Sequence, residues 1–311
     1  MPTHHTITAS RPFLRANFAA YAEPVLSVAS GDSVTIREIP DVAWGIEPPT
    51  STTEPRRKIE PRDPVADRGP CLLGPVKVEG AEPGDAVEVR IEHLRTAAWG
   101  WTYSGQGLAT AAYNAALGIG DAPLTLVRWS IDDRECVSSG AQRVPVRPFL
   151  GMIGLAPADA GACPWTPRAT GGNMDCRELV AGATLWLPVE CSGAMLYVGD
   201  GHAAQQGGEL SGTAIETMML EASLRLTLHK GAALRGPLAR TAEGLVTFGF
   251  APTLDAAAEI AVNGILDQMI QQLGVSRAEA LALASSCVDL RITQMVNPHR
   301  GVHAVWRSNP G

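Results

Sequence analysis

The stretch AEPGDAVEVRI, residues 81–91, has a design that other parts of the chain repeat. It begins with a Pro-Gly-Asp turn, and from Val87 to Ile91 every second residue is apolar while the residues between are charged. An alternation of period two is typical of a strand with one buried face and one wet face. Residues 28–37 and 179–189 have the same form, a glycine turn followed by an alternating strand. The first two thirds of the chain are therefore predicted to be mostly β.

Further short apolar segments extend this pattern. Strands are predicted at 124–129, 194–198, 223–228 and 245–250. Many short strands separated by glycine and proline favour a β-sandwich or a β-barrel.

The pattern becomes helical after residue 252. Apolar residues from Val262 to Leu273 recur at helical spacing, and Gly274 supplies a C-terminal stop. A capping box at 276–279 predicts a second helix, which is followed by an alternating strand at 288–293. The expected fold is mostly β with a small α+β part, in which a C-terminal helix pair packs on the β core.

A chain of 311 residues is long for a single core, so two β-rich lobes are expected. We place the N-terminal lobe at 1–165 and the C-terminal lobe, with its helix pair, at 166–311, and strands of the two lobes can interleave. Residues 50–68 are rich in Pro, Arg, Glu and Asp, which predicts a long exposed loop that is either a lid or an insertion.

The composition excludes several classes of protein. A formal net charge of −7 without any basic run argues against nucleic-acid binding. No segment reaches the roughly 18 apolar residues of a membrane span. The six cysteines are scattered without a close pair, and the N-terminus has no basic region followed by an apolar run, so a cytoplasmic protein with free thiols is expected. Exposed strand edges and the apolar helix pair favour self-association, with a homodimer as the expected state.

The window 198–216, VGDGHAAQQGGELSGTAIE, is the densest in chemistry. Asp200 and His202 lie two residues apart, so they face the same way if the segment is extended, and Glu209 and Glu216 can fold back toward them through glycine turns. This arrangement predicts a metal site or an acid/base site. His, Asp and Glu together suit zinc or a harder divalent ion.

A second window, GGNMD at 171–175, adds oxygen ligands and donors. Its two glycines allow the backbone to approach a ligand, although Asn173 and Asp175 are also ordinary turn residues. For Asp200 and His202 the alternative is a hydrogen-bonded loop pair. Glu216 precedes an apolar segment and is either a general base or a metal ligand, while a surface salt bridge is equally open for Glu209.

Other catalytic arrangements have less support. The chain has no Gly-x-Ser-x-Gly elbow and no glycine-rich phosphate loop followed by Lys-Ser or Lys-Thr. Cys176 follows Asp175 and is a candidate nucleophile, but a buried structural thiol is the simpler interpretation.

Four blocks, at 74–85, 148–157, 171–175 and 199–216, carry a resemblance to the acetamidase/formamidase family across nearly the whole chain. The resemblance implies hydrolysis of a small carboxylic amide to ammonia and the acid. It also implies a mostly β fold of sandwich or barrel type and a bound divalent metal, with zinc as the first choice and calcium as the second.

Site roles follow from the same resemblance. Asp175, Asp200 and His202 look like site residues of the family, and we predict that they are metal ligands. Glu216 and Glu79 lie in matching blocks, and we predict that they are catalytic. Substrate-binding roles go to Asn173 and Glu209. Asp85 also lies in a matching block, where a Gly-Asp turn alone explains it.

The chain departs from the family pattern at two places. Cys71 stands where many members carry His, and residues 16–18 replace a His-Trp-Gly signature. These departures keep open a second hypothesis, an amidase for a larger or cyclic amide or for a carbamoyl compound, and a third, a non-catalytic metabolite-binding protein.

If the substrate is a small carboxylic amide, we expect a divalent ion to polarise the amide carbonyl or to lower the pKa of a bound water. Glu216 then moves the proton to the leaving amine. The expected partner is a small-molecule amide substrate.

Overall fold

A computed structural model describes residues 1–107, 109–120, 122–159 and 161–307. Its secondary structure is mostly β, with three α-helices in the described part of the chain. The strands are β1 (His4–Thr8), β2 (Leu14–Arg15), β3 (Leu26–Val28), β4 (Ser33–Ile39), β5 (Leu72–Val78), β6 (Ala86–Thr96), β7 (Trp99–Ser104), β8 (Thr125–Ile131), β9 (Glu135–Ser138), β10 (Arg143–Pro145), β11 (Phe149–Leu155), β12 (Gly171–Asn173), β13 (Thr184–Pro188), β14 (Leu196–His202), β15 (Met219–His229), β16 (Leu238–Thr241), β17 (Gly244–Ala251), β18 (Val288–Gln294) and β19 (Arg300–Trp306). The helices are α1 (Ala111–Ala116), α2 (Leu254–Leu273) and α3 (Arg277–Cys287), and a short 3-10 turn covers Arg11–Phe13.

The strands form three sheets. The largest has nine strands in the order β1-β4-β15-β6-β13-β16-β17-β19-β18. A six-stranded sheet has the order β12-β11-β14-β5-β2, with β3 paired on β5, and a four-stranded sheet has the order β10-β9-β8-β7. Pairing is antiparallel except where β1 meets β4 and β3 meets β5.

The main core lies between the nine-stranded and six-stranded sheets. Val89 of β6 and Leu226 of β15 belong to the same buried cluster as Leu73 of β5 and Val198 of β14. The alternation from Val87 to Ile91 directs these valines and the isoleucine into that cluster while Glu88 stays outside, as the sequence predicts. The expected mostly β, sandwich-like architecture is therefore confirmed.

The predicted helix pair is also confirmed. α2 ends at Gly274, which has the left-handed conformation (φ 67°) that glycine adopts without strain. The Ser276 hydroxyl accepts a hydrogen bond from the Glu279 N–H (3.2 Å) and so begins α3. Apolar residues of α2 such as Ala261 and Ile265 pack on β17 and β19, at one end of the nine-stranded sheet.

Strands from both halves of the chain share the two larger sheets. β4 and β6 are neighbours of β15, and β5 is a neighbour of β14. The two lobes at 1–165 and 166–311 thus interleave, and the division stays a prediction. Of the helices described, none combines the length and the apolar character that crossing a membrane requires.

Candidate active site

Strand β11 organises the candidate site, because one of its neighbouring strands contains an acidic residue and the other leads into one. On one side β14 pairs with it, so that His202 lies opposite Phe149 and Gly201 opposite Leu150. On the other side β12 pairs with it and leads directly into Asp175, whose N–H donates to the Gly151 carbonyl (3.0 Å). Two segments far apart in the sequence therefore meet at one end of β11.

Gly151 lies directly against the side chains of this cluster. A Cβ atom built on Gly151 would lie 2.5 Å from Cε1 of His202, 2.6 Å from Oδ2 of Asp200 and 2.9 Å from Oδ1 of Asp175. Such contacts are shorter than real Cβ contacts, so only glycine fits here. The missing side chain leaves the space in which the three residues converge.

The distances within the cluster are short. Nε2 of His202 lies 3.1 Å from Oδ1 of Asp200 and 3.2 Å from Oε1 of Glu216. Asp175, Asp200 and His202 each offer one ligand atom, and these three atoms lie within 4.8 Å of one another. Side chains with this spacing are able to hold a metal ion, which agrees with the chemistry expected from the sequence.

The backbone at these carboxylates is strained. Asp175, Asp200 and Glu209 have φ values of 50°, 56° and 48°, in the left-handed region that non-glycine residues rarely adopt. Strain of this kind is retained where the surrounding structure enforces it, and it concentrates at functional sites.

Burial makes this a site of unusual electrostatics. Asp175, Asp200, Glu209 and Glu216 are all buried, and His202 is 0% exposed. Four carboxylates and one imidazolium would leave three net negative charges out of contact with water. Such an arrangement is costly without protons or a bound cation.

The pKa values of four of these buried groups are raised, so the groups hold their protons to higher pH. Burial, followed by the charge of Asp200, raises the pKa of Asp175 to about 7. Burial also raises the pKa of Glu216 to about 8 and that of Glu209 well above its ordinary value. Burial opposes protonation of His202, but Glu216 and Asp200 outweigh it and raise the imidazole pKa. Protons bound to these carboxyl groups and to the imidazole therefore offset part of the negative charge of the cluster.

Several buried polar atoms in the cluster have no hydrogen-bond partner among the described residues. They are Oδ1 of Asp175, Nδ1 of His202, Oε2 of Glu209 and Oε2 of Glu216. Buried polar atoms are normally paired, so four unpaired atoms in one place indicate a site that binds something. The donor set of two or more carboxylates and one imidazole fits a divalent ion.

Two further side chains hold the aspartate at position 175. Nδ2 of Asn297 donates to Oδ2 of Asp175 (2.9 Å), which leaves Oδ1 free, and Nε2 of Gln205 donates to its backbone carbonyl (2.9 Å). The ring of Phe149 lies edge-on to His202 with centroids 4.8 Å apart. These contacts fix the orientation of the candidate ligands, as outer contacts do in metal sites.

A cavity of about 950 Å³ reaches the cluster. Asp200, Glu209 and Glu216 form its acidic part, and Asn173 lies beside them on the wall. Four aromatic side chains line the remainder, those of Trp44, Trp101, Tyr103 and Trp165. A pocket that is partly aromatic, with a few convergent polar groups, is typical of a small-molecule site.

The structure does not bring Glu79 to this cavity. Leu72 at the start of β5 pairs with Gly199, next to the cluster, whereas Glu79 lies beyond the other end of β5, roughly 23 Å along the strand at about 3.3 Å per residue. Glu79 is also exposed, on a turn. The Asp85 carboxylate pairs with Lys230 (2.6 Å). Neither Glu79 nor Asp85 lines the cavity.

Cys71 lies next to the site but does not line the cavity. It is 0% exposed, and burial raises the pKa of its thiol well above the ordinary value. Its backbone carbonyl lies so close to Gly199 that a Cβ there would approach it to 2.4 Å. Asn17, at the other departure from the family pattern, is half-buried beside Phe18.

A second group of potential ligands lies behind Asp175, consisting of Cys176, Glu178 and His303. Oε1 of Glu178 already pairs with Arg177 (3.2 Å) and Arg291 (3.1 Å). Burial opposes ionisation of Glu178, but His303 and Arg177 keep its pKa below the ordinary value. Burial raises the pKa of the Cys176 thiol, so a neutral thiol and two arginines make this group a poor cation site compared with the Asp200 cluster.

Some of the site residues can be predicted from the sequence, and others cannot. The carboxylates and His202 lie within two short windows, whereas Asn297 comes from the loop after β18, and Gly151 is visible in the sequence only as one glycine of a matching block. Asn297-Pro298 directly after a strand is the signal that could have drawn attention to that loop.

Comparison with known proteins shows which proteins this chain is similar to. A family model described as the Acetamidase/Formamidase family matches residues 158–303. An acetamidase of Mycolicibacterium smegmatis is 29% identical over 204 residues, which are 47% of this chain and 50% of that protein. The chain thus matches about half the length of this curated relative.

Two solved structures are similar over almost the whole chain. A recombinant predicted acetamidase/formamidase of Thermoanaerobacter tengcongensis superposes with a TM-score of 0.83 at 27% identity, covering 98% of this chain and 96% of that one. An acetamidase of Yersinia enterocolitica gives a TM-score of 0.85 at 26% identity, covering 98% and 92%. The resemblance to the acetamidase/formamidase family that the four sequence blocks predicted is confirmed.

Proposed function

We propose that this protein is a metal-dependent amidohydrolase that converts a linear carboxylic amide of the formamide or acetamide type to ammonia and the acid. The observation that carries the proposal is the buried convergence of Asp175, Asp200 and His202 at Gly151, with Oε1 of Glu216 lying 3.2 Å from Nε2 of His202. The names of the similar proteins, acetamidase and acetamidase/formamidase, support this substrate class.

Asp175, Asp200 and His202 are the residues that would hold the metal ion. Zinc is the first choice because imidazole and carboxylate suit it, and calcium is the alternative if further oxygen atoms complete the site. When bound, a divalent ion supplies Lewis acidity, which polarises an amide carbonyl and lowers the pKa of a water molecule.

Glu216 is placed to move the proton. Its Oε1 accepts the Ala214 N–H (2.9 Å), which fixes the carboxylate, while Oε2 has no hydrogen-bond partner in the described part of the chain and Glu216 lines the cavity. We assign it the removal of a proton from the attacking water and its return to the departing amine. A pKa raised by burial suits a group that must both accept and release a proton near neutral pH.

Asn173 and Glu209 are proposed to position the amide. Both line the cavity next to Asp200. A side-chain amide can donate to a carbonyl, and a carboxylate can accept from an amide –NH₂ group, which is the pairing that a primary amide requires. We give Glu79 no part in this chemistry because of its distance from the cavity.

The test is ammonia release from a panel of formamide, acetamide and longer amides by purified protein that has been supplied with zinc or calcium. His202→Ala serves as the site variant, and His229→Ala serves as the matched control, since His229 is half-exposed and pairs with Glu88 far from the cluster. We expect turnover that His202→Ala abolishes and His229→Ala retains. Absence of ammonia from every amide under both metals would reject the proposal.

The size of the cavity supports a second candidate. A volume of about 950 Å³ lies at the upper end of the range of about 300–1,000 Å³ for drug-sized ligands. A larger or cyclic amide, or a carbamoyl compound, would use it better than formamide, and the same panel distinguishes the two. A non-catalytic metabolite-binding protein would bind such compounds without releasing ammonia.

Two further proposals come from the sequence. Self-association, as a homodimer, has support from β18, which is an edge strand of the nine-stranded sheet and exposes Leu290 and Ile292. Light scattering tests it. A cytoplasmic location is proposed from the scattered free cysteines, and cell fractionation tests that.

A further inference from the structure

The wall of the active-site cavity carries positive charge that the proposed chemistry does not use. Lys58, Arg62 and Arg300 line the same cavity as Asp200 and Glu216. Among the described residues, none of these three cations forms an ion pair with a carboxylate. Lys58 and Arg62 both lie in the long segment 50–68, so that segment contributes a cationic wall to the site.

Two neighbouring carboxylates, those of Asp41 and Asp67, are already engaged by other cations. Asp41 is 0% exposed, pairs with Arg56 and accepts the Trp101 indole N–H (2.8 Å). Asp67 pairs with Arg11. These contacts anchor the segment to the sandwich and leave Lys58 and Arg62 as the cations of this segment that line the cavity and pair with no described carboxylate.

Other contacts hold Arg62 in place. The guanidinium of Arg62 lies over the Trp44 ring at 5.0 Å and donates to the Asp67 backbone carbonyl (2.9 Å), while its buried Nε has no partner among the residues that the structure describes. Partial burial, followed by repulsion from Arg62 and Arg56, lowers the pKa of Lys58. Two like charges held together at a cavity wall are more stable when an anion lies between them.

The lining of the cavity therefore has two charged parts. Asp200, Glu209 and Glu216 form the acidic part, and the three cations, which pair with no described carboxylate, form the other part beside aromatic side chains. Formamide and acetamide are too small to fill a cavity of about 950 Å³ and carry no charge for the cations to bind.

We infer that the preferred substrate is a primary amide that carries a carboxylate at its other end, the monoamide of a short dicarboxylic acid, with this carboxylate held by Lys58 and Arg62. This inference rests on the proposed amidohydrolase function. Water adds to the amide carbon and gives one proton to the nitrogen, the carbon–nitrogen bond breaks, and ammonia leaves. The new carboxylic acid then releases the second proton of the water, which ammonia takes up. The products are the dicarboxylate and ammonium.

The experiment compares kcat/KM for malonamate, succinamate and glutaramate with kcat/KM for the uncharged propionamide, butyramide and valeramide. We expect the best carboxylated amide to exceed its uncharged counterpart by about tenfold or more, since charge-assisted hydrogen bonds contribute about that factor. Higher ionic strength should reduce this ratio. This first comparison uses the wild-type protein alone.

Variants of Lys58 and Arg62 then test whether these cations cause the preference for carboxylated amides. Lys58→Met should lower the ratio of carboxylated to uncharged kcat/KM about tenfold, the additional Arg62→Met change should lower it further, and Lys58→Arg should restore it. Arg57→Met is the matched control, because Arg57 is the neighbouring cation, pairs with Glu47 and keeps 70% of its side chain exposed. This control should leave the ratio unchanged.

The outcomes separate the two proposals. Ammonia from the uncharged amides with no preference for a carboxylate, or a ratio that Lys58→Met does not change, overturns the inference and leaves the amidohydrolase proposal standing. No ammonia from any amide overturns the amidohydrolase proposal and the inference that rests on it.

Discussion

Replacing Gly151 by alanine tests the geometry of the site with the smallest possible change. The new Cβ would lie 2.5 Å from Cε1 of His202 and 2.6 Å from Oδ2 of Asp200, whereas non-bonded carbon atoms prefer about 3.5–4.0 Å. Both side chains must therefore withdraw by about 1 Å. A misplacement of that size at a catalytic site costs about 100-fold in rate, which corresponds to about 2.7 kcal/mol of transition-state stabilisation.

The assays are ammonia release, metal content of the purified protein and thermal unfolding. We expect kcat/KM to fall about 100-fold and metal affinity to fall with it, while overpacking costs about 1–3 kcal/mol of stability. Gly236→Ala is the control, since a Cβ at Gly236 meets no atom within 4 Å. A Gly151→Ala protein with full metal content and wild-type kcat/KM would refute the proposed convergence of ligands.

Three further predictions concern the same cluster. Glu216→Gln should lower kcat by about 100-fold to 10,000-fold with little change in metal content, because it removes the proton acceptor and not a ligand, and parallel rate and metal measurements check this. Asn297→Ala should weaken metal affinity by about 10-fold to 100-fold, measured by competition with a chelator, because it removes the donor to Asp175. In metal-free protein the pKa values of Asp175 and Glu216 are raised in the folded state to about 7 and about 8, so the stability that their protonation contributes is complete below about pH 4 and is lost as pH rises toward 8. Unfolding curves in chelator between pH 5 and 8 should show this decline, and stability that rises over that range would contradict the assignment.

The sequence allowed much of the fold to be predicted because its signals are local. The alternation around Val87 and Val89 specifies which face of β6 is buried, and Ser276 and Gly274 mark the helix ends through contacts within one turn. The order of strands in the sheets depends on contacts between distant segments, for example β4 with β15, and short-range patterns do not contain it.

The candidate site also combines features that local sequence patterns predict with contacts between distant segments that they do not predict. Asp200 and His202 could be placed together because two residues of one strand share a face. Glu79 shows the opposite case: membership in a matching block does not say which end of β5 a residue occupies, and the structure places it at the end away from the cluster. Asn297 reaches Asp175 across 122 positions of sequence, a contact that no local pattern contains.

We propose that one divalent ion, held by Asp175, Asp200 and His202, is required for amide hydrolysis. The most direct measurement is to strip the protein with a chelator, add zinc or calcium in steps, and follow bound metal and ammonia release together. The account predicts no ammonia from the stripped protein and full recovery at about one bound ion per chain. Full activity in stripped protein whose metal content is confirmed to be negligible would contradict it.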